Sequence, residues 1–311
     1  MEIVGQSAKN FVRLLCDTKL RSCFQEKRSM KIVLADHFGI CFGVRDAIAQ
    51  AEELAEQAPL TILGELVHNP IVRERLRAQG VAEGSLDQSG ATSGLVMITA
   101  HGASDAKRAA WREHGFHVVD GTCPLVRHAH DQLKRLVAAG YFPVVIGKVG
   151  HVEVRGLTED FPEARVVDLP SDILKLPRRD RYGVISQTTQ PIDRVCALVA
   201  EIERLHPTSE VRYVDTVCKP TKDRQLALRQ LIDVAEVIVV VGGRESNNTR
   251  QLVETCRAAD RRAFHIERPD ELRSEWFDGI SVVGLTAGTS TLRETVDAVF
   301  RCLEEIARTR P

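Results

Sequence analysis

KIVLADHFGICFGV, residues 31–44, passes from an apolar β-like run through Gly39 to Cys41 and then into helical spacing. The same grammar returns in HVVDGTCPLV (117–126) around Cys123 and in VRYVDTVCKP (211–220) around Cys218. The cysteines are 82 (41 to 123) and 95 (123 to 218) residues apart, each about the length of one small α/β unit. Ligands of α/β folds sit in the crevice beyond the carboxyl ends of the strands. Three units that each bring one thiolate to a common centre would hold a metal cluster by three protein bonds. A cluster with one unligated position is a place for chemistry as well as for structure.

Between these stretches the chain alternates strand-like and helix-like patterns. Strands are expected at 31–35, 61–63, 95–99, 118–120, 142–146, 184–186, 237–241, 263–266 and 281–285. Helices are expected at 44–56, 71–79, 106–113, 127–139, 193–205, 224–232, from 250 onward and at 295–306. Such alternation implies βαβ units and parallel sheets. The recurrence of strand, cysteine and helix argues for an α/β protein of three similar domains with small sheets, divided at 31–123, 124–214 and 215–311. Residues 1–30 are richer in Lys and Arg than in acids, carry no long apolar run, and read as a poorly ordered extension.

The 311 residues allow a buried core, and the 27% charged and 43% hydrophobic content is ordinary for a globular chain. A net charge of −1 gives no basic field for a nucleic acid. No apolar run approaches the roughly 18 residues of a membrane span. Eight scattered cysteines without a visible signal peptide point to a reducing, cytoplasmic setting. There Cys16, Cys23, Cys196, Cys256 and Cys302 are free thiols, and the last three, lying in helical patterns, are expected to pack in the core.

The loops that follow the strands hold small donors and little Lys or Arg. They carry His68, His101, His151 with Glu153, Thr188 and Thr189, Ser246-Asn247-Asn248, and Ser290. Backbone N–H groups and helix N-termini at such places favour an anion. Taken singly these residues are weak signals: a strand-end His is more often structural, and Ser-Asn-Asn reads equally as a cap and turn. Their joint occurrence at the edges that carry the thiols suits a small diphosphate. Glu153 would be repelled by such a ligand when ionised, so its pKa would rise and leave a proton to donate; a solvated strand-end charge is the equal alternative. His37, His114, His117, His128, His130, His206 and His265 are read as structural.

In these motifs the chain resembles the 4-hydroxy-3-methylbut-2-enyl diphosphate reductase family (LytB, also called IspH). The motifs are Cys41-Phe-Gly-Val, Val67-His68-Asn69, Ala100-His101-Gly102, Thr122 to Val126, Gly150-His151-Val152-Glu153-Val154 and Gln187-Thr188-Thr189. Thr216-Val-Cys218 with Arg224-Gln225, Ser246-x-Asn248 and Thr286-Ala-Gly-x-Ser290 complete the order, over about Met30 to Arg308. The resemblance implies a trefoil of three α/β domains around a [4Fe-4S] cluster held by Cys41, Cys123 and Cys218. It implies a diphosphate bound by His68, His101, His151, Thr188, Ser246, Asn247, Asn248 and Ser290, with Thr188 and Glu153 delivering protons. The implied reaction of the non-mevalonate isoprenoid pathway is a two-electron reductive dehydroxylation giving isopentenyl and dimethylallyl diphosphate. A reduced ferredoxin or flavodoxin is the implied donor, and the first βα turn carries no Gly-x-Gly-x-x-Gly for a nicotinamide. Asn247 stands where many relatives have serine, and Leu292 where many have proline. The competing readings are a non-catalytic zinc or cluster protein, disfavoured by the lack of close Cys pairs, and a paralogue acting on another phosphorylated substrate.

Overall fold

A computed structural model of the chain describes residues 30–309 apart from Ser89. The extension expected at the N-terminus lies outside the described residues except for Met30, which is buried in a hydrophobic core.

The described residues open with β1 (Lys31–Leu34) and α1 (Phe42–Gln57). The next unit comprises β2 (Leu60–Leu63), α2 (Pro70–Ala78), β3 (Ala82–Gly84), β4 (Leu95–Ile98), α3 (Asp105–Glu113) and β5 (His117–Asp120). The linking helix α4 (Pro124–Ala138) leads to β6 (Phe142–Ile146), α5 (Val152–Thr158), β7 (Arg165–Val167), α6 (Pro170–Ile173), β8 (Arg181–Ser186), α7 (Ile192–Leu205) and β9 (Glu210–Tyr213). A further linking helix, α8 (Lys219–Val234), precedes β10 (Val237–Val241), α9 (Asn247–Ala258), β11 (Arg262–Ile266), β12 (Val282–Ala287) and α10 (Arg293–Thr309).

These strands form three four-stranded sheets, ordered β3-β2-β4-β5, β7-β6-β8-β9 and β11-β10-β12-β1. All recorded pairings are parallel. Each sheet follows one plan, and in each the last strand of the order is an edge strand that leads to one of the three cysteines. β1 fills that place in the third sheet, pairing Lys31–Leu34 with Val282–Leu285. The division at 31–123 and 215–311 therefore does not follow the sheets, because residues 31–34 belong with the C-terminal unit. The physical reason is that Ile32 and Leu34 pack on the C-terminal core and cover the edge of β12.

Parallel sheets are stable only with both faces covered, and each sheet here carries an apolar cluster on each face. In the middle sheet Val144 and Ile146 face one cluster and Val145 and Ile185 the other. In the third, Val239 and Val241 alternate with Ile238 and Val240 in the same way. The central strands β6 and β10 are buried throughout, which explains their unbroken apolar runs. β3 and β7 were not expected; at three residues each they lack a readable alternation. The loop expected after β6 becomes the short helix α5, because His151 caps it by accepting the Glu153 N–H at 3.1 Å on Nδ1. Ser246 likewise starts α9 earlier than the expected 250, accepting the Thr249 N–H at 3.3 Å. Among the described residues no helix is long and apolar enough to cross a membrane.

Leu285 is fully buried on β12, between β1 and β10. Leu285→Ala should cost about 2–5 kcal/mol in denaturant unfolding, whereas Leu226→Ala, at a side chain 57% exposed, should change stability by less than about 0.5 kcal/mol.

Candidate metal centre and substrate pocket

Each of the three cysteines is the residue immediately before a helix: Cys41 before α1, Cys123 before α4 and Cys218 before α8. Each sulfur stands at a positive helix end where an anion is favoured, and first-turn N–H groups reach those of Cys123 and Cys218. Their backbone N–H groups are held alike: Cys41 donates to the Thr289 carbonyl at 3.1 Å, Cys123 to Ala100 at 3.1 Å and Cys218 to Thr188 at 3.0 Å. Cys218 Sγ also lies 3.1 Å from the Thr221 hydroxyl.

Burial raises the Cys123 thiol pKa, while the N–H groups of Leu125 and Val126 oppose the rise and the charges of Cys41 and Glu153 add to it. Burial pushes the Cys218 thiol up to about 11, with Thr221 opposing and Glu153 and Cys41 adding. The three sulfurs and Glu153 thus share one electrostatic neighbourhood. Gly43 makes room for it: a Cβ there would stand 2.4 Å from Cys123 Sγ. Of the cysteines read as core packing, Cys256 is buried, Cys302 is half-buried and Cys196 is exposed. Helical spacing alone did not tell which face of α7 Cys196 occupies.

Beside this centre a pocket is lined by His68, His101, His151, Glu153, Ser246, Asn247, Asn248 and Ser290, together with Val44, Val67, Thr189 and Thr289. The three imidazoles form one group, with ring centroids 4.8, 6.3 and 5.8 Å apart. Burial lowers the His101 pKa well below the ordinary value, and the charges of His68 and His151 lower it further. Burial, His68, Lys148 and Arg250 bring His151 down to about 4. These two rings are neutral at pH 7, and because His151 Nδ1 accepts the Glu153 N–H, its own proton resides on Nε2 as a donor.

The loops of different units are locked together around the pocket. Asn69 Nδ2 donates to the Ser290 carbonyl at 2.6 Å, and Ser290 Oγ to the His68 carbonyl at 3.3 Å. A Cβ at Gly243 would meet the His68 carbonyl oxygen at 2.1 Å, so only glycine allows that approach. Asn248 Oδ1 accepts the Thr289 N–H at 3.0 Å, and Asn247 Nδ2 donates to Thr189 Oγ1 at 3.3 Å.

Glu153 is 2% exposed and accepts the Thr188 N–H at 2.6 Å. Burial raises its pKa to about 7 against the opposing hydrogen bonds from Thr188. It is a buried acid whose proton is held well above the ordinary carboxyl range, and not a solvated charge. Thr188 does not line the pocket; it joins Glu153 to the Cys218 backbone.

Every residue singled out for the site except Thr188 lines the pocket or is one of the three cysteines, and three lining residues come from outside that set. Val44 and Val67 supply its apolar wall, and Val44 is readable only once α1 is known to start at Phe42. Thr289 is the unnamed position of the Thr286-Ala-Gly-x-Ser290 motif. Asp105, His130 and Asp160 form a second group whose possible ligand atoms lie within 4.8 Å of one another, an arrangement compatible with a metal ion. Its carboxylates already have partners: Asp160 accepts the N–H groups of Asp105 and Ala106 at 2.7 and 3.0 Å, and Asp105 pairs with Arg108 and Lys134.

The model of the LytB protein family matches residues 32–304. The chain is 37% identical over 279 residues to the 4-hydroxy-3-methylbut-2-enyl diphosphate reductase of Geobacter sulfurreducens, covering 89% of this chain and 98% of the relative. It is 35% identical over 283 residues to the enzyme of that name from Aquifex aeolicus, covering 88% and 96%. Its fold is similar to the solved structure of the E-1-hydroxy-2-methyl-but-2-enyl-4-diphosphate reductase of Plasmodium falciparum, with a TM-score of 0.83, 25% identity, and 88% and 87% of the two chains covered. A solved (E)-4-hydroxy-3-methyl-but-2-enyl diphosphate reductase, described as the terminal enzyme of the non-mevalonate pathway, aligns with a TM-score of 0.65 and 33% identity over 89% and 99%. With a family match over most of its length and relatives above 30% identity, the chain belongs to the LytB family.

Proposed function

We propose that the chain reduces (E)-4-hydroxy-3-methylbut-2-enyl diphosphate to isopentenyl and dimethylallyl diphosphate. Two electrons and two protons enter, the C4–O bond breaks, and the hydroxyl leaves as water. The observation that carries this reading is that a three-histidine, hydroxyl- and amide-lined pocket lies beside three cysteines at helix N-termini, two of which, Cys123 and Cys218, feel its buried acid, Glu153.

The donor set fits an iron–sulfur cluster. Thiolates are the ligands such clusters take, the sulfurs form no disulfide, and Gly43 keeps the space beside Cys123 clear. Cys41, Cys123 and Cys218 would hold a [4Fe-4S] cluster, which when bound supplies single electrons and an iron position with Lewis acidity that no protein thiolate fills. A one-electron carrier of the ferredoxin or flavodoxin type suits that centre as donor.

The chain's own residues do the rest. His68, His101 and His151 with Ser246, Asn247, Asn248 and Ser290 receive the diphosphate. An arriving polyanion favours protonation of rings that burial holds neutral in its absence, so binding and proton uptake are coupled. Val44 and Val67 suit the hydrocarbon part of the substrate. Glu153, raised to about 7, is suited to donate a proton at neutral pH, and Thr188 fixes its carboxyl by the N–H bond at 2.6 Å.

Anaerobic turnover with excess reduced donor tests the assignment. Cys123→Ser should lower iron content and abolish turnover, while Cys196→Ser should keep both; a fully active Cys123→Ser protein with normal iron would refute the centre. His68→Ala and His101→Ala should each weaken pyrophosphate binding by roughly tenfold, as expected for loss of a charge-assisted hydrogen bond of about 1.5–3 kcal/mol. Unchanged affinity in both would remove the histidines from the anion site.

Glu153→Gln should retain the cluster and substrate binding but turn over at least about a hundredfold more slowly. Because the acid form is the competent one, the rate contribution of Glu153 should fall as pH rises through about 7. The stability sign is the same. Between the ordinary value of 4.5 and about 7 the folded carboxyl holds its proton while the unfolded one has lost it, so stability falls as pH rises across that window. Denaturant unfolding at pH 5 and pH 8 should therefore show Glu153→Gln gaining relative to the parent at the higher pH. Parallel pH profiles would show that the carboxyl is not raised.

A further inference from the structure

Arg224 is the only lysine or arginine that is buried among the described residues, at 6% exposure. It lies on α8, six residues past Cys218 (218 to 224). Its guanidinium forks onto the carbonyl of Gly39, two residues before Cys41, with Nε at 3.1 Å and Nη2 on the same oxygen. Nη1 donates to the Pro220 carbonyl at 2.7 Å. One side chain therefore ties the loop that carries Cys41 to the helix that begins after Cys218.

What Arg224 lacks among the described residues is an ion pair with a carboxylate. The neighbouring acid, Asp223, is occupied by Lys219 Nζ at 2.7 and 2.6 Å. A buried charge is costly unless it is paired, and carbonyl dipoles compensate a full cation only in part. Burial works against its charge, and of the groups that favour it Cys41 and Cys218 come before Asp223. Of the three site sulfurs, those of Cys41 and Cys218, thiolates once they ligate a metal, are the ones that act on Arg224.

We propose that Arg224 is the built-in countercharge of the three-thiolate centre, a positioning residue that joins two of its ligand loops and makes the centre easier to reduce. The inference rests on the cluster reading given under the proposed function. Each electron from the donor makes the centre more negative without changing any bond to Arg224. A fixed cation beside it favours the reduced form, and cluster potentials respond to nearby charge and hydrogen bonding in this way. Loss of the cation should move the midpoint to a more negative potential.

The test is a redox titration of the anaerobically purified, iron-loaded protein, followed by electron paramagnetic resonance. The parent is compared with Arg224→Gln, Arg224→Lys and, as a surface control on the same helix, Arg229→Gln. Arg224→Gln should shift the one-electron reduction equilibrium by at least about tenfold toward the oxidised form, which is about 59 mV. Arg224→Lys keeps the charge and loses the fork, so its midpoint should stay within about threefold of the parent while a chelator removes its iron faster. Arg229→Gln should match the parent in both respects. An iron-loaded Arg224→Gln protein with the parental midpoint would overturn the proposal and leave the cluster reading intact. If Arg224→Gln fails to hold iron, a loaded Arg224→Lys protein with the parental midpoint supports the countercharge, and failure of both variants to load overturns it in favour of a purely mechanical tie. A parent that holds no iron would defeat the cluster reading itself, and this inference with it.

Discussion

The hydrogen bonds from Cys41, Cys123 and Cys218 N–H to the carbonyls of Thr289, Ala100 and Thr188 are the constraint on which the site depends. Each acceptor immediately precedes a pocket residue: Ser290, His101 and Thr189. The backbone that sets a sulfur thus also sets a group that lines the pocket. Because the three sheets share one strand order, the same short link is made three times, once per unit. A shift of any unit would move a thiol and a pocket side chain together, which keeps the three sulfurs and the pocket in register.

The second determinant is burial without compensation. His101, His151 and Glu153 are held near neutrality by desolvation, the leading cause for all three. The acid and the histidines respond oppositely to burial, because desolvation penalises the charged form of each. One physical effect therefore leaves neutral imidazoles and a carboxyl of raised proton affinity side by side in one pocket.

Much of this was legible in the sequence, and the exceptions have identifiable causes. The cysteines announced themselves because each lies between a β-like run and a helix, and edge strand to helix is the step the fold repeats. The uninterrupted apolar runs of Phe142–Ile146 and Val237–Val241 marked central strands with both faces covered. The sequence groups β1 with the residues that follow it, since pairing between Lys31–Leu34 and β12, some 250 residues later, leaves no local trace. The sequence shows only a loop at α5 because its cap is an imidazole, outside the usual Ser, Thr, Asp and Asn set. The roles of Thr188 and Arg224 depend on backbone partners, which sequence patterns do not display.

The central claim is that the three thiols hold one iron–sulfur cluster with an iron that no protein side chain ligates. Mössbauer spectroscopy of the iron-57-loaded protein, prepared without oxygen and measured with and without (E)-4-hydroxy-3-methylbut-2-enyl diphosphate, examines it directly. The account predicts one iron environment distinct from the rest, and predicts that its signal alone changes when the diphosphate is added. Equivalent irons that ignore the substrate, or a metal content of zinc in place of iron, would contradict it.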